Sequence, residues 1–145
     1  MIALLQRVNH AGVTVSGNEI ARIDRGLLVF IAFERGDTLE KSRKMFDRIM
    51  RYRVFGDENG RMNLSVRDTG GRVLLVSQFT LAAETSRGNR PGFDPAMPPE
   101  EAREFYEDLV SYARITEPDT AFGEFGADMK VALENDGPVT FLLRL

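Results

Sequence analysis

The chain has 145 residues, a formal net charge of −3 and a pI of about 5.3. It contains no cysteine and a single histidine, His10, which excludes structural disulfides, thiolate zinc sites, a cysteine nucleophile and a metal site built from several histidines. An acidic chain of this kind does not offer the basic face needed to grip a long nucleic-acid duplex, but contact with a short end of a nucleic acid stays open.

The length and even composition predict one domain spanning residues 1–145, without a linker, a repeat or a low-complexity segment. The apolar run at the N-terminus reaches Gln6 and Arg7 too early for a signal peptide or a membrane span. We therefore expect a cytoplasmic protein with no membrane partner.

The first quarter of the chain predicts strands. Residues 2–8 and 12–16 are rich in β-branched residues, and we predict that they form two strands that pair with each other. A tight turn at Gly17-Asn18 leads into a further strand that begins at residues 19–23. The continuous apolar run at residues 27–33 predicts a strand buried on both faces.

Two helices are predicted between runs of strands. Asp37 is expected to cap the first helix, with Glu40 three residues later completing a capping box. The second helix is predicted to begin at residues 98–101, where two prolines precede two acids. Asn59-Gly60 is typical of a hairpin turn, and residues 82–99 form a long loop of the kind that often carries function.

The remaining patterns complete a barrel-like sheet. Val73–Val76 is predicted to form a central strand that ends near Thr80. Residues 129–133 and 139–143 alternate in polarity, which predicts two strands joined by a turn. The order of elements predicts an α+β fold, with a mostly antiparallel, barrel-like sheet and two inserted helices.

Two segments and one residue are candidates for chemistry. Polar residues 77–80 interrupt an apolar run, so they either cap backbone groups at a strand end or face a substrate carbonyl. Asp136-Gly137-Pro138 is typical of an ordinary turn, although a cis Gly-Pro bond would hold two neighbouring carbonyls in a fixed orientation. His10 lies between two predicted strands and is interpreted as a turn residue. The arginine clusters, including Arg87 and Arg90, are typical of a solvated surface.

Several segments of the chain resemble the D-aminoacyl-tRNA deacylases. Two motifs, SQFTL and NDGPVTF, are specific when they occur together at this separation. Gly12 departs from the family, in which serine is usual, and Ala32-Phe33 stands where Gly-Val is common; both are interpreted as local packing changes. The similar segments are MIALLQRV at 1–8, YRVF at 52–55, GRMNL at 60–64, SQFTLAAET at 77–85, RGNRP at 87–91 and NDGPVTF at 135–141.

The resemblance implies an enzyme that hydrolyses the ester between a D-amino acid and the terminal adenosine of tRNA, with glycyl-tRNA as a further candidate substrate. It also implies a homodimer, in which a cis Gly137-Pro138 bond projects into the partner subunit's site and its carbonyls hold the substrate's amino group. No metal or cofactor is expected. The implied catalytic positions are Ser77, Gln78, Phe79 and Thr80, and the implied substrate-binding positions are Gly137, Pro138, Arg7 and Met129.

Thr80 is expected to orient the substrate, because no histidine or lysine nearby could activate it as a nucleophile. The family view that the RNA's own 2′-hydroxyl assists fits this lack of a base. Two other functions stay open at this stage. One is an esterase or amidase that uses Thr80 or Ser77, and the other is a dimeric binding module without catalytic activity.

Overall fold

The computed structural model describes all 145 residues as eight strands, two α-helices and one 3₁₀ turn. No helix is long and apolar enough to span a membrane. The elements are β1 (Ile2–Val15), β2 (Asn18–Ile23), β3 (Gly26–Ala32), α1 (Leu39–Met50), β4 (Phe55–Gly56), β5 (Met62–Leu64), β6 (Arg72–Ser77), the 3₁₀ turn (Phe79–Ala82), α2 (Pro99–Thr116), β7 (Ala121–Phe122) and β8 (Met129–Arg144).

The main sheet has the order β2-β1-β3-β6-β7, and β8 pairs with β1. Strands β1, β2, β3 and β8 are antiparallel neighbours, but β3 and β6 are parallel, as are β6 and β7. The fold is α+β with a nearly closed, barrel-like sheet, and the expectation of a mostly antiparallel sheet is corrected to a mixed one. The reason is that α1 precedes β6 and α2 precedes β7, and helical crossovers of this kind return the chain in the same direction.

The two longest strands, β1 and β8, run side by side for most of their lengths. Residues 2–8 and 12–16 were predicted to pair with each other; that prediction is wrong, because 2–15 form one strand and both halves pair with β8. His10 is therefore an exposed strand residue opposite Glu134 and does not lie in a turn. Residues 129–133 and 139–143 likewise belong to one strand, interrupted by a bulge in which residues 136–139 stand opposite Arg7 alone.

Hydrophobic packing occurs on both faces of the sheet. The larger core lies between the sheet and the two helices and contains Phe46, Leu75 and Leu109. The smaller core fills the inside of the barrel and contains Leu28 and Val76 among its buried residues. Adjacent residues of β3 belong to different cores, and all of them except the half-buried Phe30 are buried, which confirms the predicted strand buried on both faces.

Local sequence patterns predicted several elements correctly. The hairpin at Asn59-Gly60 is confirmed, since β4 and β5 flank it and pair antiparallel. The second helix begins at Pro99, inside the predicted start. The strand at residues 73–76 is confirmed within β6, which ends at Ser77 before the 3₁₀ turn.

The cap of α1 differs from the prediction. Thr38, not Asp37, is the N-cap, and its hydroxyl accepts a hydrogen bond from the Lys41 backbone N–H at 3.2 Å. Glu40 pairs with Lys44 along the helix, so there is no capping box. Asp37 is buried and accepts hydrogen bonds from the Met1 amino group at 3.0 Å, the Glu34 backbone N–H at 2.8 Å and the Lys41 ammonium at 2.6 Å.

These contacts determine the charge state of Asp37. Burial alone would raise the pKa of its carboxyl, but the hydrogen bonds from Lys41, from the Glu34 N–H and from the Met1 amino group together bring the pKa below its usual range. The ionised form is thus favoured by folding. Asp37 thus links Met1, just before β1, to Lys41 in the first turn of α1.

We expect Asp37→Asn to lower the free energy of unfolding at pH 7 by about 1–3 kcal/mol, because charged donors lose their anionic partner. A lowered folded-state pKa contributes stability above the unfolded pKa of about 4 and loses it as the pH falls through the folded value. Urea unfolding from pH 7 down to pH 3 should therefore show a shallower acid loss in the variant. Glu40→Gln, which removes an exposed carboxylate, is the control; an equal effect from both would contradict this role.

Candidate functional site

A cleft of about 590 Å³ opens where the end of β6 meets the beginning of β8. Its size and mostly apolar lining are typical of a site for a small molecule or for part of a larger one. Ser77, Gln78 and Phe79 form one wall, and Met129 and Val131 of β8 form another. The loop between the 3₁₀ turn and α2 closes the third side, so the long loop predicted at residues 82–99 does border the cleft.

The polar segment at residues 77–80 changes direction at this cleft. The Gln78 backbone N–H donates to the Ile31 carbonyl at 2.7 Å, which extends the pairing of β6 with β3 by one bond. The chain then enters the 3₁₀ turn at Phe79, and Gln78 makes no side-chain cap. The first N–H groups of a helical turn have no acceptor inside that turn. Backbone donors therefore lie beside the cleft at Phe79 and Thr80.

Thr80 is exposed next to the cleft rather than lining it. Its hydroxyl has one hydrogen-bond partner, the Gln78 side-chain amide, which donates at 2.6 Å. His10, the single histidine, lies in β1 opposite Glu134 and makes no contact with Thr80. No three His, Cys, Asp or Glu side chains are grouped as a metal site would require. Asp128 is the one carboxylate that lines the cleft, and it is paired with the Lys130 ammonium; the hydroxyl of Thr80 therefore has no base bonded to it.

Aromatic rings line the mouth of the cleft. Phe79 is 58% exposed and Phe93 is 39% exposed, and their ring centroids are 5.1 Å apart. Phe125 lies on the opposite side, with the Arg103 guanidinium 4.9 Å from its ring centroid. The sequence interpretation missed Phe93 and Phe125. The composition of the loop was the only signal for Phe93, and no local pattern identified Phe125.

A buried tyrosine and a glycine lie behind the residues that line the cleft. Tyr106 of α2 shares its hydroxyl proton between the Leu75 carbonyl at 2.9 Å and the Gly123 carbonyl at 3.1 Å. Burial raises the pKa of Tyr106, so the hydroxyl keeps its proton and remains a donor. A β-carbon at Gly123 would lie 2.8 Å from the Met129 sulfur. Glycine at position 123 therefore leaves room for the side chain of Met129, which lines the cleft.

The second candidate segment is the bulge of β8. The Gly137-Pro138 peptide bond is cis, and both residues are exposed. The Asn135 side chain spans the bulge, since its oxygen accepts from the Val139 N–H at 2.7 Å and its amide donates to the Val139 carbonyl at 3.2 Å. These two bonds hold both ends of the exposed dipeptide.

Arg7 supports the bulge from below. Its Nε donates to the Asp136 carbonyl at 3.0 Å and lies 3.1 Å from the Asp136 carboxylate, while its Nη1 donates to the Val54 carbonyl at 2.6 Å. The guanidinium also stacks over the Phe55 ring at 5.9 Å. Arg7 is thus engaged by its own chain, and it positions the bulge.

The two candidate segments are separated within one chain. Met129 lines the cleft together with Ser77, Gln78 and Phe79, but Gly137, Pro138 and Arg7 do not. Gly137 follows Val131 by six residues in the same strand, which corresponds to about 20 Å at the usual rise of an extended chain. The exposed dipeptide of a single subunit therefore does not border that subunit's own cleft.

Comparison with known proteins identifies the family. The model of the D-Tyr-tRNA(Tyr) deacylase family matches residues 4–144 of the chain. The chain belongs to the D-Tyr-tRNA(Tyr) deacylase family. A D-aminoacyl-tRNA deacylase of Dichelobacter nodosus (strain VCS1703A) is 54% identical over 145 residues, which covers 100% of both chains.

Two solved structures resemble this chain over nearly its whole length. A structure described as c-Myc DNA Unwinding Element Binding Protein has a TM-score of 0.94 and 41% identity, covering 100% of this chain and 99% of that one. A probable eukaryotic D-amino acid tRNA deacylase has a TM-score of 0.84, with coverage of 98% and 97%. Its identity of 18% supports a shared fold alone.

Proposed function

We propose that this deacylase family member hydrolyses the ester between a D-amino acid and the terminal adenosine of tRNA, releasing free tRNA and the D-amino acid. The observation that carries the proposal is the family match across residues 4–144, in a chain whose matching segment Ser77-Gln78-Phe79 forms one wall of the cleft. Such a cleft can accept a terminal nucleoside and its amino acid. The tRNA body would remain outside, which is compatible with the acidic net charge.

Catalysis would depend on the backbone at the beginning of the 3₁₀ turn. The N–H groups of Phe79 and Thr80 are available to stabilise the oxyanion that forms when water attacks the ester carbonyl. Thr80 has no base to remove its proton, and its hydroxyl is already bonded to Gln78. The neighbouring 2′-hydroxyl of the substrate ribose would instead assist the attacking water. The RNA would thus supply the group that activates the nucleophile.

A second copy of the chain would complete the site. Leu142, Leu4 and Phe30 form one row across neighbouring strands, and Leu142 is 51% exposed. The row continues to Val76, which lines the cleft. Leu142 is exposed, Leu4 and Phe30 are half-buried, and apolar side chains left partly uncovered in one row favour a protein contact. A homodimer formed over this face would place partner residues at the mouth of the cleft, as the separation between the cleft and the bulge requires.

Chiral selection would come from Gly137 of the partner subunit and Pro138 of the partner subunit. Their exposed backbone carbonyls could accept the protonated amino group of the substrate, which fixes the direction of its side chain. An L side chain would then collide with the backbone wall, whereas a D side chain would point away from it. Glycine has no side chain to collide, so the same filter would also admit glycyl-tRNA. A cytoplasmic location is part of this proposal.

Two other functions are less compatible with the site. An esterase or amidase with Thr80 or Ser77 as nucleophile would need an activating base, and the one carboxylate that lines the cleft, Asp128, is paired with Lys130. A binding module without activity would not require the backbone donors beside the cleft. A DNA-binding role, as in the printed description of one similar structure, finds no broad basic face in a chain of net charge −3.

We expect kcat/KM for D-Tyr-tRNA to exceed that for L-Tyr-tRNA by on the order of 10³-fold or more, because rejection by collision discriminates more strongly than the attraction of a shaped pocket. The measurement is release of labelled amino acid from each substrate, with buffer-only hydrolysis subtracted. Comparable rates on both substrates would exclude the chiral filter. Absence of hydrolysis on the D substrate would exclude the proposed enzyme.

We expect Thr80→Ala to retain kcat within about tenfold of the parent enzyme, since the backbone N–H at position 80 survives the substitution. A covalent nucleophile at this position would instead lose on the order of 10⁴-fold. Single-turnover deacylation of D-Tyr-tRNA measures the difference. Thr80→Val, which keeps the shape but not the hydroxyl, controls for packing, and circular dichroism checks the fold of both.

We expect Gly137→Ala to lower kcat/KM for D-Tyr-tRNA by about tenfold or more, because a strained backbone there moves the carbonyls of the bulge. Gly137 has φ +147°, and an added β-carbon would lie 2.6 Å from a Val139 methyl group. Gly60→Ala is the matched control: its φ is +75°, and its β-carbon would meet nothing within 4 Å. If both folded variants keep full activity and chirality, the bulge is only a turn.

A further inference from the structure

The long loop beside the cleft contains a small closed hairpin. Glu84 and Gly92 exchange both backbone hydrogen bonds, at 2.8 Å and 3.0 Å. These two bonds close the ends of the segment between them. The Glu84 carboxylate accepts from the Ser86 N–H at 2.6 Å and is thereby turned back onto the hairpin's own backbone. We call residues 84–92 the arginine hairpin.

Two guanidiniums at the tip of the arginine hairpin have no partner in the chain. Arg87 and Arg90 are exposed, and neither makes an ion pair, a hydrogen bond to a carbonyl or a contact with an aromatic ring. All three lysines, by contrast, pair with carboxylates. In a chain with a net charge of −3, the arginine hairpin thus carries two positive charges that no carboxylate of the chain neutralises.

The arginine hairpin is directly attached to the cleft wall. Phe93, which lines the cleft and packs on Phe79, follows Gly92 in the chain. Phe93 is three positions after Arg90, so their α-carbons are at most about 11 Å apart. The length of the Arg90 side chain adds to this reach, so its guanidinium can contact the part of a ligand that extends out of the cleft. Arg35, which also lines the cleft, is fixed by the Asp94 carbonyl at 2.8 Å and adds charge on the same side.

We propose that Arg87 and Arg90 bind backbone phosphates of the single-stranded 3′ end of tRNA, next to the nucleoside that enters the cleft. This inference rests on the proposed function, because it concerns the part of the same substrate that lies outside the cleft. Guanidinium groups suit phosphate oxygens, since their planar donors can engage two oxygens at once. The hairpin would thus supply the phosphate contact that the acidic body of the protein lacks.

The test compares Arg87→Ala/Arg90→Ala with Arg61→Ala, which removes a likewise exposed and unpaired guanidinium from the turn between β4 and β5, away from the cleft. On D-Tyr-tRNA the double variant should raise KM about tenfold and leave kcat within about twofold. Two lost phosphate contacts on a single strand should also reduce the slope of log(kcat/KM) against log salt by about 1.4. Arg87→Lys/Arg90→Lys should restore most of the slope, because the charge is kept.

Direct binding of uncharged tRNA, measured by fluorescence anisotropy, separates this inference from the proposed activity. The parent protein should bind, the double alanine variant should bind about tenfold more weakly, and Arg61→Ala should match the parent. If the parent binds tRNA but hydrolyses no D-Tyr-tRNA, the proposed function fails, and the hairpin contact stands only when the double alanine variant binds tRNA more weakly than the parent. If hydrolysis is normal but KM, salt slope and tRNA affinity are unchanged in the double alanine variant, or if the parent does not bind tRNA, the inference is overturned.

Discussion

The pairing of β1 with β8 is the constraint on which the rest of the molecule depends. It joins the beginning of the chain to its end, and each half of β1 reaches a different neighbour, β3 or β2. The pairing shifts register on both sides of Val8, and residues 136–139 stand opposite a single residue, Arg7. Gly137 and Pro138 in this bulge are exposed, whereas Val139 is buried. The exposed Gly137-Pro138 dipeptide is thus a product of strand register, and Arg7 and Asn135 hold it in place.

The cleft depends on the other half of the sheet. Strand β6 lies between β3 and β7 in the sheet, and α1 and α2 pack on one face of that sheet. The chain leaves the sheet at the end of β6, and this is where the cleft opens. Tyr106 ties α2 to the backbone on either side of that point, through Leu75 and Gly123. The polar segment at residues 77–80 is therefore presented by rigid elements, which suits a site that relies on backbone donors and lacks an activated side chain.

Much of the architecture followed from local patterns. The two-residue turn at Asn59-Gly60, the buried run of β3 and the prolines that begin α2 each encode a conformation within a few residues. The cap of α1 shows the limit of such patterns. Asp37 and Thr38 are both good capping residues, and Asp37 is excluded from that role because the Met1 amino group and Lys41 occupy its carboxylate. Lys41 lies in the first turn of the helix, but Met1 is 36 residues away and cannot be found by examining that turn.

The sequence by itself determined the family, the types of most elements and the two motifs that carry the candidate site. Only the tertiary structure decided that β3, β6 and β7 run parallel, that residues 2–15 form one strand and that Phe93 meets Phe79 at the cleft. It also decided that Arg7 reaches Asp136, 129 residues away along the chain. The physical reason is that alternation of polar and apolar residues specifies which face of a strand is buried, whereas neighbours and register are set by contacts between distant residues.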